Sequence, residues 1–187
     1  MIGYAICGSF CTHARSLAVL ENLVNNGADV LPIVSEIASA TDTRFGKAAD
    51  LLDRLRAITG KEPIVTVREA EPLGPSVPLS ELIIAPCTGN TLAKLANGIT
   101  DTSVCMAAKA HMRCERPLLI ALATNDALSA NLKNIATLLG RKNVYFVPLL
   151  QDDPLGKPFS LVADFSLIPD AFTAMRDHRQ LRPIFRE

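Results

Sequence analysis

A cluster of short polar residues follows one of the most apolar runs of the chain. Residues 82–85 are all aliphatic, Pro86 is expected to end this strand, and the polar residues after it are Thr88, Gly89, Asn90 and Thr91. A helical pattern begins next, and the first N–H groups of a helix lack intrahelical acceptors in a region where the dipole favours negative charge. We therefore predict a site for a polar or anionic ligand. The alternative is an ordinary strand-to-helix loop with a Thr or Asn cap.

A second polar loop follows the first apolar run, at residues 2–7. Gly8, Ser9 and Phe10 come directly after it. Ser9 is the strongest single candidate, because its hydroxyl and the neighbouring N–H groups can meet a phosphate. A plain helix cap at Ser9 needs the same geometry, so the two interpretations are compatible. The sequence has neither a Gly-x-Gly-x-x-Gly fingerprint nor a Walker-type lysine motif, which favours a mononucleotide phosphate over a dinucleotide bound in the standard way.

Candidates for acid–base chemistry and for anion binding are few. His13, one turn after Ser9, could act as an acid, a base or a carboxylate partner near neutral pH, or it is a partly exposed helix residue. Arg44 is a stronger candidate than Arg15 for a carboxylate clamp, with exposed surface charge as the alternative. The five cysteines show no metal-ligand spacing with histidine, so no metal site is predicted, and Cys87 is interpreted as a small residue in a tight turn.

The elements that must position these residues alternate along the chain. Apolar runs of strand length lie at residues 2–7, 30–34, 64–67, 82–85, 118–123 and 144–150. Segments with helical spacing of apolar residues separate most of them, at residues 13–26, 45–59 and 127–139. Strands with little internal alternation, joined by helices, indicate a parallel sheet covered on both faces. The sequence predicts a doubly wound α/β fold of about six strands, with ligands beyond the carboxyl ends of the strands where the winding reverses.

Length and composition suit one globular domain. We expect a single domain over residues 1–187, with a tail from about residue 151 that holds an irregular loop at 151–168, an amphipathic segment at 168–175 and a charged end. Nineteen basic residues balance nineteen acidic ones, which leaves no electrostatic footprint for nucleic acid or an anionic membrane. Neither a signal peptide nor a membrane span is recognised, so a cytoplasmic protein is expected. The hydrophobic share of 49% favours a homo-oligomer.

A longer pattern links the loops. It comprises Gly8-Ser9, then Pro86, Asn90, Thr91, Lys94, Gly98, Ile99 and Asp101, and finally Ala123-Thr124-Asn125. This pattern resembles the flavoprotein family of FMN-binding cysteine decarboxylases and their relatives. The resemblance implies a Rossmann-like three-layer sandwich with a mainly parallel sheet, assembled into a homo-oligomer with FMN at a subunit interface. It also implies that Asn125 meets a flavin ring edge or a substrate carboxylate, and that the FMN-binding residues are Gly8, Ser9, Phe10, Ser35, Thr88, Gly89, Asn90, Thr91 and Thr124.

Further segments resemble a sporulation subgroup of that family, namely residues 42–46, 125–129, 133–135, 145–148 and 151–154. This likeness implies the oxidation of a dihydrodipicolinate-type intermediate to dipicolinate in the mother cell of a sporulating bacterium. A separate dehydrogenase subunit would share the task and supply NAD(P), and the substrate would be a small dicarboxylate. The chain would then be an oxidoreductase subunit that is inactive alone.

Departures from the family pattern disfavour its better-known chemistries. No histidine lies between His13 and His111, and no cysteine follows Cys114, so the base and the lid thiol of the cysteine decarboxylases are missing. Thr124 and Asn125 stand where the prenyl-transferring relatives use an Arg-Glu pair. Two alternatives remain, an independent FMN-dependent decarboxylase and a non-catalytic nucleotide-binding partner of a dehydrogenase.

Overall fold

The computed structural model describes residues 1–74 and 76–186, which form eight strands and eight α-helices. The strands are β1 (Ile2–Ile6), β2 (Val30–Val34), β3 (Glu81–Cys87), β4 (Leu118–Thr124), β5 (Val144–Phe146), β6 (Leu149–Leu150), β7 (Leu161–Ala163) and β8 (Phe185–Arg186). The helices are α1 (His13–Asn25), α2 (Glu36–Ala40), α3 (Ala48–Thr59), α4 (Val67–Ala70), α5 (Gly89–Asn97), α6 (Ser103–Met112), α7 (Leu132–Leu139) and α8 (Ile168–Arg176). Within these described residues, no helix has both the length and the apolar character to cross a bilayer.

The order of the strands brings the two polar loops side by side. Five parallel strands follow the order β2-β1-β3-β4-β5. In this order the chain winds first to one side of β1 and then to the other, so its direction reverses between β1 and β3. Ligands of such sheets bind in the crevice beyond the carboxyl ends of the strands at this point. The loops after β1 and β3 border that crevice.

Three short strands extend the sheet past β4. Strand β7 pairs antiparallel with the end of β4, β6 pairs antiparallel with β7, and β8 runs parallel to β6. The predicted mainly parallel Rossmann-like sandwich is confirmed, but the strand number is eight rather than about six. The predicted strand at 144–150 divides into β5 and β6 around Pro148, which has no N–H group for a sheet hydrogen bond.

The central strands are buried along their whole length, which explains why they lack alternation. Every residue of β1 and β3 is buried, with helices packed on the sheet. The one large polar side chain in β1 is Tyr4, whose hydroxyl donates to the carbonyl oxygen of Ser16 at 3.0 Å. The Ser16 hydroxyl in turn donates to the carbonyl oxygen of Ala85 at 2.5 Å. These bonds hold the start of α1 against β1 and β3, beside the two polar loops.

Several element boundaries differ from the prediction. Pro86 does not end its strand, because a register shift between Ile84 and Cys87 places the proline in an irregularity of β3. The segment at 64–67 is not a strand: Ile64 forms an isolated bridge with Ile33, and a capping box between Thr66 and Glu69 starts α4.

The loops of the C-terminal half also differ from expectation. The predicted helix at 127–139 begins only at Leu132, because residues 126–131 form hydrogen-bonded turns. The predicted irregular loop at 151–168 contains β7 and a 3-10 turn, whereas the amphipathic segment at 168–175 does form α8. The charged end contributes β8 to the sheet instead of being merely solvated.

Candidate functional site

The loop after β1 leads Ser9 into a tight 3-10 turn, Phe10–Thr12. The Ser9 carbonyl oxygen accepts hydrogen bonds from the backbone N–H of Thr12 at 3.0 Å and from its hydroxyl at 2.8 Å. The Ser9 hydroxyl makes no capping hydrogen bond to this turn. The turn is therefore fixed by the Ser9 backbone, and the side chain is left to interact with a ligand.

The loop after β3 is tied to β1 by a chain of hydroxyl groups. Thr88 is the N-cap of α5, and its Oγ1 accepts the backbone N–H of Thr91 at 3.2 Å. The two threonine hydroxyls lie 3.1 Å apart, and Thr91 Oγ1 donates to Cys7 Sγ at 3.3 Å. The N–H groups of Gly89 and Asn90, at the first two positions of α5, have no intrahelical acceptor, so the start of this helix offers donors to an anion.

A polar network from the end of β4 presses against Gly89. The hydroxyl of Thr124 donates to Asp126 Oδ1 at 2.5 Å, and Asn131 Nδ2 donates to both Asp126 carboxylate oxygens at 2.9 Å. Asn131 Oδ1 accepts a hydrogen bond from Asn134 Nδ2 at 2.8 Å. A Cβ atom at Gly89 would lie 2.5 Å from Thr124 Oγ1 and 2.6 Å from Asn131 Nδ2. The position therefore accommodates glycine without a shift of the network. The Thr124 hydroxyl donates its proton to Asp126, so it does not donate to a ligand in the crevice.

The polar loops enclose a cavity of about 190 Å³ at the switch point, which we name the crevice. Three elements beyond these loops complete its walls: the start of α2, the middle of α5 and the residue before α6. Five of the nine residues predicted to bind the cofactor line it, namely Gly8, Ser35, Thr88, Asn90 and Thr91. Ser9 and Phe10 continue the Gly8 loop, and Gly89 lies between Thr88 and Asn90. The other residues that line the crevice are Glu36, Ile37, Lys94 and Thr102.

The charged side chains of the crevice are bonded within the protein. The Glu36 carboxylate accepts the backbone N–H of Ser103, at 2.9 and 3.2 Å, and so caps α6 from α2. Lys94 Nζ donates to both carboxylate oxygens of Asp101, at 2.8 and 3.0 Å, and this contact lowers the Asp101 pKa. Ser35 starts α2, where its hydroxyl accepts the N–H of Ala38 at 3.4 Å. The crevice therefore presents hydroxyl and N–H donors together with one carboxylate, Glu36, whose oxygens are hydrogen-bonded to the start of α6.

His13 lies outside the crevice, on the other side of the β1–α1 loop. Its Nε2 is 2.8 Å from the Cys7 carbonyl oxygen, and its ring centroid is 5.3 Å from that of Phe10. Burial lowers the pKa of His13, against the smaller opposing effect of this hydrogen bond. His13 and Phe10 line a second cavity, of about 260 Å³.

The other two catalytic candidates are not brought into the crevice. Arg44 is exposed, and its guanidinium carbon lies 4.8 Å from the ring centroid of Phe45 at the rim of the second cavity. Asn125 is exposed after the end of β4. Arg15 lies over the Phe165 ring, 5.2 Å from its centroid.

The buried thiols beside the crevice are poor nucleophiles. Burial raises the pKa of Cys7 to about 12, and it raises the pKa of Cys87 well above the usual value. Cys87 packs in the core as a small buried residue, but it is the last residue of β3 and does not lie in a tight turn as predicted. In the described part of the chain, no three His, Cys, Asp or Glu side chains are grouped to hold a metal ion.

Sequence reasoning missed the network around Asp126. It assigned no functional role to Asp126, Asn131 or Asn134. The spacing Asp126, Asn131, Asn134 was a usable signal, because a short acceptor before a helix and amides at its start can close a hydrogen-bonded turn.

This arrangement, a parallel sheet with a hydroxyl-lined crevice at its switch point, agrees with the family comparison. The chain belongs to the Flavoprotein family, whose sequence model matches residues 1–166.

Particular relatives lie within that family. The chain is 45% identical over 186 residues to the B subunit of dipicolinate synthase from Bacillus subtilis (strain 168), covering 100% of this chain and 93% of that protein. The crystal structure of the B subunit of dipicolinate synthase from Bacillus halodurans matches with a TM-score of 0.91 at 40% identity, over 100% of this chain and 95% of the other. The FMN-dependent cysteine decarboxylase SpaF shares the fold, with a TM-score of 0.67 at 21% identity over 95% of each chain. The resemblance predicted from the sequence is confirmed.

Proposed function

We propose that this protein is the FMN-binding subunit of a two-subunit enzyme that oxidises a dihydrodipicolinate-type intermediate to dipicolinate. The observation that carries this proposal is the 45% identity, along the full length of the chain, to the B subunit of dipicolinate synthase from Bacillus subtilis. The crevice at the β1/β3 switch point supports it, because that is where ligands of such folds bind. The same relationship supports a role in the cytoplasm of the mother cell during sporulation.

The donors at the crevice suit a cofactor phosphate. The hydroxyls of Ser9 and Ser35 and the first N–H groups of α5 can donate to phosphate oxygens, and the Asn90 amide adds a further donor. Thr88 positions the start of α5, because its hydroxyl proton is donated to Thr91 Oγ1. The Glu36 carboxylate is hydrogen-bonded to the N-terminus of α6, where the helix dipole favours its charge. When bound, FMN supplies an acceptor for two electrons.

The small size of the crevice supports assembly into an oligomer. Its volume of about 190 Å³ is below the range of roughly 300–1,000 Å³ that is usual for small-molecule pockets, so the rest of a bound cofactor needs another surface. Ile37 lines the crevice and is 62% exposed, which is unusual for a large aliphatic side chain and suits a face that a second copy covers. We infer a homo-oligomer with FMN between subunits.

The second partner in this proposal is the dehydrogenase, or A, subunit of dipicolinate synthase. Aromatisation of the ring removes two electrons that finally reach NAD(P), and this chain lacks the glycine fingerprint for holding a dinucleotide in the usual way. The dehydrogenase supplies that site. The small dicarboxylate substrate is then shared between the two subunits.

The test is reconstitution of the reaction. Purified dehydrogenase, this protein loaded with FMN, dihydrodipicolinate and NADP are mixed, and the ultraviolet absorbance of the pyridine product is followed. We expect a faster rise with both subunits than with either alone, and Asn90→Ala should reduce the gain. If the dehydrogenase alone forms product equally fast, this chain is not a catalytic subunit.

One observation favours a non-catalytic role as the second candidate. The charged groups of the crevice, Glu36 and Lys94, are bonded to Ser103 and Asp101, so the crevice itself offers no free acid or base. In that case the protein stabilises the dehydrogenase, and FMN-free protein should accelerate the reaction as much as the loaded form. An independent cysteine decarboxylase would instead release CO₂ from cysteine-terminated peptides without the dehydrogenase.

A further inference from the structure

The second cavity lies next to the crevice and has the size of a single-ring ligand. It is bounded by the start of α1, by α2, by a hairpin at residues 41–47 and by the first half of α3, and its volume is about 260 Å³. The two cavities adjoin but share no lining residue, since Gly8 and Ile37 line the crevice whereas Phe10 and Ala38 line the second cavity. A ligand here lies one loop away from the crevice.

Aromatic side chains form two sides of this cavity. Phe10 is half-buried, and Phe45 is 54% exposed at the tip of the hairpin. The hairpin is nevertheless well ordered, because Thr43 and Gly46 exchange backbone hydrogen bonds of 2.9 and 3.2 Å. The Thr43 hydroxyl also accepts the N–H of Phe45 at 3.1 Å. A solvent-exposed phenyl ring on a hydrogen-bonded hairpin suits stacking on a planar ligand.

Two cations and one carboxylate line the cavity, namely Lys47, Arg54 and Asp50. Arg54 forms an ion pair with Glu21 on α1, so its charge is largely balanced. Arg44 does not line the cavity, but its guanidinium lies against the ring of Phe45, which does. Lys47 and, beside it, Arg44 are therefore the candidates to receive ligand carboxylates.

His13 lines the cavity, and its one hydrogen bond defines which ring nitrogen carries the proton. The Cys7 carbonyl oxygen can only accept, so Nε2 must carry the proton in its 2.8 Å contact. In the neutral ring Nδ1 is then an acceptor, and among the described residues it has no hydrogen-bond partner. Burial lowers the His13 pKa, which keeps the ring neutral at pH 7. The lining of the cavity therefore includes two phenyl rings, charged groups of both signs and a neutral imidazole whose second nitrogen can accept a proton.

We propose that the second cavity binds a planar six-membered ring with two carboxylates, and that Nδ1 of His13 accepts the proton released when this ring becomes aromatic. The identity of the ring rests on the proposed function, whereas its location rests on the cavity. Phe10 and Phe45 flank the ring, and Lys47 and Arg44 hold the carboxylates.

The chemical step balances in atoms and electrons. One ring C–H bond breaks with its electron pair, which leaves as hydride to an oxidised flavin or nicotinamide. A neighbouring ring C–H breaks the other way: its electron pair joins the aromatic system, and its proton forms the Nδ1–H bond of His13. The imidazolium then returns the proton to solvent at the open rim.

Binding is tested by calorimetry on the full chain, with pyridine-2,6-dicarboxylate as the probe. Phe45→Ala and Lys47→Ala should each weaken binding at least tenfold and leave FMN affinity unchanged. Phe185→Ala and Lys142→Ala are matched controls: Phe185 is 50% exposed on β8 and Lys142 is exposed on another surface, and both should bind like wild type. If wild type binds FMN but not millimolar probe, or if the two test variants bind the probe as wild type does, the location is wrong and the cofactor proposal survives.

The role of His13 is tested in the two-subunit assay with His13→Gln. Glutamine can still donate to the Cys7 carbonyl oxygen, but it provides no basic nitrogen. We expect probe affinity within about threefold of wild type and a rate of product formation lowered roughly 100-fold. His178→Gln, at an exposed turn after α8, is the control and should keep the full rate. A full rate in His13→Gln would overturn the proton-acceptor role.

Discussion

At the scale of single residues, Ser9 has two roles: its backbone stabilises a turn, and its hydroxyl is proposed to bind the cofactor phosphate. Its backbone holds the 3-10 turn, while its hydroxyl makes no capping bond. Ser9→Asp places a negative charge where the proposed phosphate binds, so we expect FMN affinity to fall at least about tenfold by like-charge repulsion. Quenching of flavin fluorescence measures this affinity. Ser80→Asp, exposed at the opposite edge of the sheet, is the control; equal affinities in the two variants would remove Ser9 from the site.

Gly89 carries a second prediction at this scale. Gly89→Ala pushes a methyl group into Thr124, Asp126 and Asn131, at distances of 2.5 to 2.8 Å. We expect the free energy of unfolding to fall by about 1–3 kcal/mol in urea titrations. Gly140→Ala should be nearly neutral, because its Cβ would meet only backbone oxygens at 3.6 Å or beyond. A neutral result at Gly89 would mean that the network relaxes freely.

A site residue can be predicted from the sequence when a local feature, such as the end of a strand, determines its position. Thr88 and Ser35 follow strands directly, so their place at the carboxyl edge follows from strand ends alone. The close approach of Asp126 and Asn131 to Gly89 depends on how α5 and α7 pack, which no local pattern contains. Phe45 and Lys47 likewise line the same cavity as His13 only because α1 packs against α3.

At the scale of elements, the network of Asp126 connects the β4–α7 turn to the start of α5. Asn131→Ala removes both hydrogen bonds to the Asp126 carboxylate and leaves Asn134 without its partner. We expect a loss of about 1–3 kcal/mol in the free energy of unfolding, because the half-buried Asp126 carboxylate loses the Asn131 amide and keeps only the Thr124 hydroxyl as a side-chain donor. Chemical denaturation measures it.

Asn97→Ala is the matched control for this prediction. Asn97 is exposed at the end of α5 and makes one side-chain bond to the Ala93 carbonyl oxygen, 2.7 Å long. Its removal should cost well under about 1 kcal/mol. Equal losses in the two variants would show that the network adds nothing beyond an ordinary surface amide.

Element boundaries show why periodicity succeeds in some places and fails in others. The bounds of β2 and α1 agree with the apolar pattern, because burial on one or both faces dictates that pattern. The helix at 127–139 starts late because side chains of Asp126 and Asn131 stabilise a turn instead. β7 and β8 are too short for their own pattern and depend on pairing with β4 and β6.

At the scale of the whole molecule, buried histidines should make stability depend on pH. The ring of His111 is buried, its Nε2 contacts the Pro117 carbonyl oxygen at 2.8 Å, and among the described residues its Nδ1 has no partner. Burial lowers its pKa first, Arg116 lowers it further, and Glu81 opposes the shift. His13 has a lowered pKa as well.

The sign of the pH effect follows from these lowered pKa values. The unfolded chain binds protons at about pH 6.5, where the folded histidines resist them. Stability should therefore be complete above about pH 6.5 and should fall below it, by at most about 1.4 kcal/mol per pH unit for each histidine. Urea denaturation between roughly pH 5 and 8 checks this, and His111→Gln should flatten the curve whereas His178→Gln should not. A flat curve for wild type would contradict it.

The short loop between β1 and α1 has a consequence for how ligands influence one another. It borders the crevice through Gly8 and the second cavity through Phe10 and His13. A ligand that restricts this loop from one side lowers the conformational entropy that a second ligand must remove from the other. Such cooperativity is reciprocal: the factor by which FMN would tighten binding of the proposed dicarboxylate equals the factor by which the dicarboxylate would tighten binding of FMN. When both ligands are present, the form with both cavities occupied would thus be more populated than independent binding predicts.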